Sequence, residues 1–302
     1  MKRSKIALLM LVLAAVAAPV WSQETGTIKK IREANEIVLG VRDSSVPFSY
    51  FDEKGQAIGY SVDLCMRVVD RLKREFKMPA LKVRLQPVTS ATRIPLIQNG
   101  TVDLECGSTV NNLERHKQVD FSLTTFVVNT KFIAKKSSNI KTVADFKGKT
   151  VAVTSGTNTM QKITALDQEQ KLDLKILNGK DHAESFLLLT TDRAVAFSED
   201  DILLAGLAAT SHTPDAFALV SIPGMLGDPY ALMLRRDDPQ MKAVVDAALR
   251  EVFASGEEQK IYEKWFVRAI PPHNVVLNFP MSEQLKRVIA KPTDSPSPED
   301  YK

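Results

Sequence analysis

The sequence predicts an α/β chain of two lobes, each a mainly parallel sheet flanked by helices. Three observations carry this. Short apolar strands alternate with segments of helical period, the pattern of parallel sheets joined by crossovers. The alternation runs twice, once on each side of about Val127–Lys135. A further strand and two long helices follow the second series, so the chain crosses between the lobes twice. The expected organisation is a signal peptide over 1–22, lobe one from 23–126 plus 224–290, lobe two over 127–223, and a disordered tail at 291–302. Hinges belong at the crossings, near Val127–Lys131 and Ser221–Gly224.

The N-terminus comes first. Lys2, Arg3 and Lys5 precede an apolar run from Ile6 to Val20, and small residues lead to Ser22. The run is shorter than the ~20 residues a membrane span needs. It reads as a secretory signal peptide cut at Ser22/Gln23, with Ala17 and Ala18 as alternatives, and so the protein is expected to be exported.

In lobe one, Glu36–Val41 reads as a strand ending at Arg42. A turn (FDEKGQAIGY) leads to a helix from Ser61 to about Phe76, with Val62, Cys65, Val69, Leu72 and Phe76 on one face. The strand Leu81–Val88 ends at Thr89-Ser90, and a short helix starts near Arg93 and breaks at Asn99-Gly100. Val102, Leu104 and Cys106 alternate with Asp103 and Glu105 in a third strand that stops at Gly107. Ser108, Thr109, Asn111 and Asn112 then read as helix-start residues before Leu113-Glu114-Arg115, an arrangement that aims backbone N–H groups at an anion.

Lobe two repeats the scheme after a strand at Lys131–Lys135. Thr150–Val153 ends in Ser155-Gly156-Thr157-Asn158 before a helix to about Leu166. Leu174–Leu177 leads through Lys180-Asp181-His182 into a helix over Ala183–Leu189. Arg193–Phe197 ends in Glu199-Asp200-Asp201 before a helix over Ile202–Ala208. Strands at Phe217–Ser221 and Tyr230–Arg235 follow, then helices over Met241–Ser255 and Gly256–Phe266. The Pro/Ser/charge-rich end (KPTDSPSPEDYK) lacks the apolar residues to form a core.

Composition excludes several classes. The 302 residues are 44% hydrophobic and 25% charged, ordinary for a chain of this size. Three of the positive charges behind the net +4 lie in the first 22 residues, which contain no acid, so the remainder is nearly neutral. No basic block with interleaved aromatics supports a nucleic-acid partner. Cys65 and Cys106 are too few for a disulfide scaffold or a metal cluster. Each sits on an apolar face, and both one bridge and two buried thiols fit the pattern. No nucleophile–base pair and no metal-ligand set stands out, so neither metal nor cofactor is expected.

Ligands of open α/β sheets lie beyond the carboxyl ends of the strands. Lobe one places Arg42, Ser90, Arg93, Ser108, Thr109 and Arg115 there; lobe two places Ser155, Thr157, Asn158, His182, Asp200 and Asp201. Facing each other, these mouths suit a small zwitterion carrying an additional negative charge. Arg115 and the two helix starts would take one carboxylate, and Asp200 an ammonium. Arg42 and Arg93, with Ser90 and His182, remain for a second carboxylate, and they have no obvious acidic partner nearby in sequence.

These residues sit in runs that resemble a known family. VRDSSVPFSYFD, AIGYSVD, TSATRIPLIQNGTVDLECGST, NNLERHKQVDFS, VAVTSGTN, GKDHAESF, RAVAF with EDDILLAG, MLRRDDPQ and SGEEQKIYEKWF span most of Ile37–Phe279. Together they are similar to the periplasmic amino-acid-binding proteins of ABC transporters (solute-binding protein family 3), glutamate/aspartate type. The resemblance implies the type II periplasmic-binding-protein fold with two crossover hinge strands. It also implies a monomer that captures an acidic amino acid in the periplasm and delivers it to a membrane permease, and no catalysis. The family's carboxylate-binding pattern falls on Ser108, Val110 and Arg115, its ammonium-binding Asp on Asp200, and the acidic subset's second carboxylate site on Arg42, Ser90, Arg93 and His182. Two positions depart from it, since Val110 and Asn158 stand where threonine is usual. The alternatives are an enzyme of the same fold, dehydratase-like, with Asp200, Asp201 or His182 as acid or base, and a binder of another dicarboxylic amino acid.

Overall fold

The computed structural model describes residues 26–302; the expected signal peptide and its cleavage point at Ser22 lie outside them. The chain opens with α1 (Gly26–Ala34), whose Thr27, Ile28 and Ile31 are buried. Strand β1 (Glu36–Val41) follows, then a small antiparallel sheet of β2 (Ser44–Ser45), β3 (Ser49–Phe51) and β4 (Ala57–Ile58). Helix α2 (Tyr60–Glu75) buries Val62, Leu64, Cys65, Val68, Val69 and Leu72 at helical spacing, as its sequence requires. It starts at Gly59, where φ is 139° and a Cβ would lie 2.2 Å from the Phe48 carbonyl oxygen, so only glycine fits. Strand β5 (Lys82–Pro87), α3 (Arg93–Gln98) and the two-residue β6 (Leu104–Glu105) complete this series.

Beyond β6 the sequence expectation fails. Ser108–Asn112 does not start a helix: Val110 bridges to Tyr230 as extended backbone, and only a 3-10 turn, Arg115–Lys117, follows. Strand β7 (Val119–Val128) then runs straight through Asn129 into β8 (Thr130–Lys135), the first crossing. Lobe two continues with β9 (Thr150–Thr154), α4 (Asn158–Gln170), β10 (Lys175–Gly179), α5 (His182–Thr190), β11 (Ala196–Asp200), α6 (Asp201–Ala209) and β12 (Phe217–Ser221). The chain returns in β13 (Asp228–Arg235) and closes with α7 (Pro239–Ala254), α8 (Glu257–Tyr262), the short pair β14 (Ala269–Ile270) and β15 (Val275–Val276), and α9 (Glu283–Ala290).

The two large sheets share one plan. Their orders are β5-β1-β6-β13-β7 and β10-β9-β11-β8-β12. In the first, β1 is parallel to β5 and β6, while β13 runs antiparallel to both β6 and β7. In the second, β9 is parallel to β10 and β11, while β8 runs antiparallel to both β11 and β12. Each sheet is therefore mainly parallel with a single reversed strand. The reversed strand is in both cases the one that enters from the other lobe. This is the two-lobe arrangement of type II periplasmic binding proteins.

Two further features differ from or extend the sequence reading. Cys65 on α2 and Cys106 after β6 form a disulfide, with Cα atoms 6.1 Å apart. Residues 291–302, expected to be disordered, are packed on β7. The Thr124 N–H donates to the Thr293 carbonyl at 2.8 Å, Tyr301 is buried with its hydroxyl 2.7 Å from Thr124 Oγ1, and Lys242 pairs with Asp294. An otherwise free sheet edge thereby gains a backbone partner, which compensates for the tail's polar composition. Among the described residues no helix is long and apolar enough to cross a membrane.

Candidate ligand-binding cleft

The strand ends of the two lobes face each other. Contacts across the gap are close: Asn112 Nδ2 donates to Asn158 Oδ1 at 3.1 Å, Arg115 Nη2 to the Gly156 carbonyl at 3.4 Å, and the Ala183 N–H to Ser44 Oγ at 3.3 Å. A methyl group on Gly156 would sit 2.6 Å from Ala91 Cα, so this glycine permits the approach. Between the lobes is an enclosed cavity lined by Ser90, Arg93, Ser108, Val110, Arg115, Thr157, Asn158, Thr159, His182, Glu199 and Asp200. Its free volume is only ≈ 10 Å³, far below the roughly 300–1,000 Å³ of sites for drug-sized ligands, so the two lobes are drawn together until their side chains nearly fill the gap.

Of the residues expected at the cleft, Ser90, Arg93, Ser108, Val110, Arg115, Thr157, Asn158, His182 and Asp200 line this cavity; Ser155 and Asp201 do not, and Arg42 and Thr109 stand behind it. Arg42 is buried and donates from Nη2 to Ser90 Oγ at 2.7 Å, so it reaches the cavity through that hydroxyl. Thr109 turns away between Arg93 and Glu105, receiving Arg93 Nη1 at 2.6 Å and donating to Glu105 Oε2 at 2.6 Å. The arginines thus do have an acidic neighbour: Glu105 is fully buried with Oε1 4.0 Å from Arg93 Nη1. Arg115 donates from Nη1 to the Val110 carbonyl at 2.7 Å. Burial and the nearby Arg93 lower Arg42 to about 10 and Arg115 to about 9. Such crowding of cations favours an anion between them.

Lobe two supplies the carboxylates. Asp200 Oδ2 accepts the Tyr230 hydroxyl at 2.5 Å and Oδ1 accepts Thr130 Oγ1 at 3.2 Å. Glu199 Oε1 accepts Thr159 Oγ1 at 3.1 Å, while its Oε2 lies 3.6 Å from His182 Nδ1. Burial and the adjoining Asp200 push Glu199 up to about 8, and burial with Asp228 pushes Asp200 up to about 7. Burial, Arg42 and Arg93 hold His182 well below the usual imidazole range, so it is neutral and the 3.6 Å contact is no ion pair. Its Nδ1 shares a hydrogen bond with Thr154 Oγ1 at 3.0 Å. Thr157 caps α4, accepting the Met160 N–H at 3.1 Å. Asp201 is outside the cavity, exchanging hydrogen bonds with Asn129 at the first crossing and facing Lys131 at 3.6 Å.

Comparison with known proteins now decides the family. Residues 37–268 match the family described as "Bacterial extracellular solute-binding proteins, family 3". The chain belongs to that family. It is 51% identical over 286 residues to the L-glutamate/L-aspartate-binding protein of Pseudomonas aeruginosa, covering 94% of each. It is 46% identical over 268 residues to the glutamate/aspartate import solute-binding protein of Escherichia coli, covering 89% of this chain and 88% of that one. Among solved structures it is similar to a mutant of the arginine-binding protein ArgBP from T. maritima, with a TM-score of 0.70, 26% identity, and coverage of 80% of this chain and 99% of that one. In this family member, sequence reasoning missed Thr159, Glu199, Glu105 and Tyr230. Glu199 and Glu105 were legible only as acids adjoining strand-end residues.

Proposed function

We propose that this solute-binding protein captures an acidic amino acid, glutamate or aspartate, between its lobes in the periplasm and delivers it to the membrane permease of an ABC importer. The observation that carries this is a set of buried donors without protein partners around the cleft: Arg93 Nε, Ser108 Oγ and, behind them, Arg42 Nη1. Buried donors of this kind are costly unless an acceptor satisfies them, and a carboxylate does so with charge-assisted bonds. The names of the Pseudomonas and Escherichia relatives support the same ligand class.

Arg115, the Val110 backbone and the Thr157–Asn158 helix start take the main-chain carboxylate, with Ser108 between them. Asp200 takes the ammonium. Arg93, Ser90 and His182 take the side-chain carboxylate, and Arg42 acts on it through Ser90. Because the ligand touches both lobes only when they meet, it draws the open–closed equilibrium of a monomer toward the closed form.

The test is a thermal-shift series on residues 23–302 with L-glutamate, L-aspartate, L-glutamine and L-arginine. Either acid should raise the melting temperature more than the others, since only native-state binding stabilises. No shift with either acid at millimolar concentration sinks the proposal.

A further inference from the structure

Glu199 has no part in the ligand contacts assigned above, yet its side chain lines the cavity. Only 3% of the residue is exposed, and of its two oxygens one is held by Thr159. The other, Oε2, is buried without a hydrogen-bond partner and lies on the side of His182, at the end of the cleft assigned to the ligand's side chain. A carboxylate there would face the ligand's own carboxylate, and two like charges in a closed cavity repel strongly. A carboxylic acid would instead donate to it. A side-chain amide reverses the requirement, because its N–H needs an acceptor and a carboxylate is one.

We propose that Glu199 reads the far end of the ligand: as an acid it donates to a side-chain carboxylate, and as a carboxylate it accepts from a side-chain amide. The protein then prefers acidic amino acids below a switching pH and tolerates their amides above it. This deepens, and rests on, the acidic amino-acid reading of the same cleft. The surroundings fit such a switch. Glu199 is faced by Asp200 on its own strand, Thr159 from α4, His182 from α5, Arg42 just after β1, Arg93 from α3, Arg115 from the 3-10 turn and Tyr230 from β13. Burial and Asp200 raise its titration to about 8, whereas His182 stays neutral throughout the relevant range. Asp200 and Arg115 serve groups common to glutamate and glutamine, so their titration cancels when the two ligands are compared.

The experiment is calorimetric titration of residues 23–302 with L-glutamate and L-glutamine at pH 6 and pH 9, for wild type and Glu199→Gln. In wild type the ratio of glutamine to glutamate dissociation constants should fall by about tenfold per pH unit, up to about a thousandfold between pH 6 and pH 9, because glutamate binds the protonated and glutamine the ionised Glu199. In Glu199→Gln, which carries donor and acceptor at every pH, the ratio should be flat. A wild-type ratio that does not change with pH overturns the inference, as does an unaltered slope in Glu199→Gln. The wild-type profile alone decides if the variant does not fold. Glutamate binding at pH 6 with a constant ratio removes the role of Glu199 and leaves the acidic amino-acid reading standing; no glutamate binding at either pH removes both.

Discussion

Asn112 and Asn158 join the two lobes directly, Nδ2 to Oδ1 at 3.1 Å, and Asn158 also reaches Asp228 at 3.4 Å. Asp228 belongs to β13 of lobe one and is paired with Lys162 of α4. One turn of lobe two therefore grips two separate segments of lobe one.

Asn158→Ala should weaken the closed form. Each hydrogen bond lost is worth about 0.5–1.5 kcal/mol net, so affinity for glutamate and aspartate should drop together by roughly tenfold. Small-angle scattering of the ligand-free variant should give a larger radius of gyration than wild type. Equal radii would mean that Asn158 does not restrain the lobes without ligand.

The disulfide ties α2 to the end of β6, immediately before the Gly107–Val110 segment, with a sequence separation of 41. Closing such a loop in the unfolded chain stabilises by about 2–4 kcal/mol. Replacing both Cys65 and Cys106 with alanine should therefore lower the guanidinium midpoint by the equivalent amount. An unchanged midpoint would show that the bridge is energetically idle.

Sequence patterning revealed the strand ends, because a strand followed by a capped helix has a clear change of period, and Arg42, Ser90, His182 and Asp200 lie at such changes. It could not reveal Glu105 and Glu199. Alternation of Val102, Leu104 and Cys106 with acids looks the same whether the polar face meets water or a closed cleft. Glu199 read as a helix start because β11 was placed three residues too early. Strand β7 (VDFSLTTFVV) was legible in part, because Val119, Phe121 and Leu123 alternate with Asp120, Ser122 and Thr124 before the pattern breaks at Thr125. The helix expected after Gly107 was lost to tertiary pairing, because the segment around Val110 pairs with that around Tyr230, the Asn111 N–H donating to the Pro229 carbonyl and the Ala231 N–H to the Thr109 carbonyl.

Asp200 links binding to protons. Its carboxyl is raised to about 7, and Glu199 and Glu258 to about 8, chiefly by burial. The folded protein thus holds protons that the unfolded chain releases near pH 4, so ligand-free stability should fall as pH rises from about 5 through 8. An ammonium beside Asp200 demands the ionised form. Binding at pH 6 should release a proton there, visible as a buffer-dependent heat. Asp200→Asn should remove that release and cost every amino-acid ligand about 1.5–3 kcal/mol. A buffer-independent heat in wild type would place the ammonium elsewhere.

Selectivity should divide between two arginines. Arg115 holds the main-chain end shared by all amino acids, so Arg115→Met should weaken glutamate and glutamine alike. Arg93 sits at the side-chain end, where Thr109 relays it to the buried Glu105. Glu105 supplies one negative charge against Arg42 and Arg93, and an acidic ligand supplies the second, leaving the group balanced. A neutral side chain leaves one guanidinium uncompensated in a closed cavity, at a cost of about 2 kcal/mol or more. Removing Arg93 inverts this account, because Glu105 then meets the ligand carboxylate with only Arg42 between them. Arg93→Met should therefore abolish the preference for glutamate over glutamine. The pair Arg93→Met with Glu105→Gln should recover part of it by lifting the repulsion. Calorimetry of the wild type, both single arginine variants and the pair with both ligands tests each step. Full retention of the glutamate preference in Arg93→Met would show that Arg42 and Ser90 read the carboxylate without it.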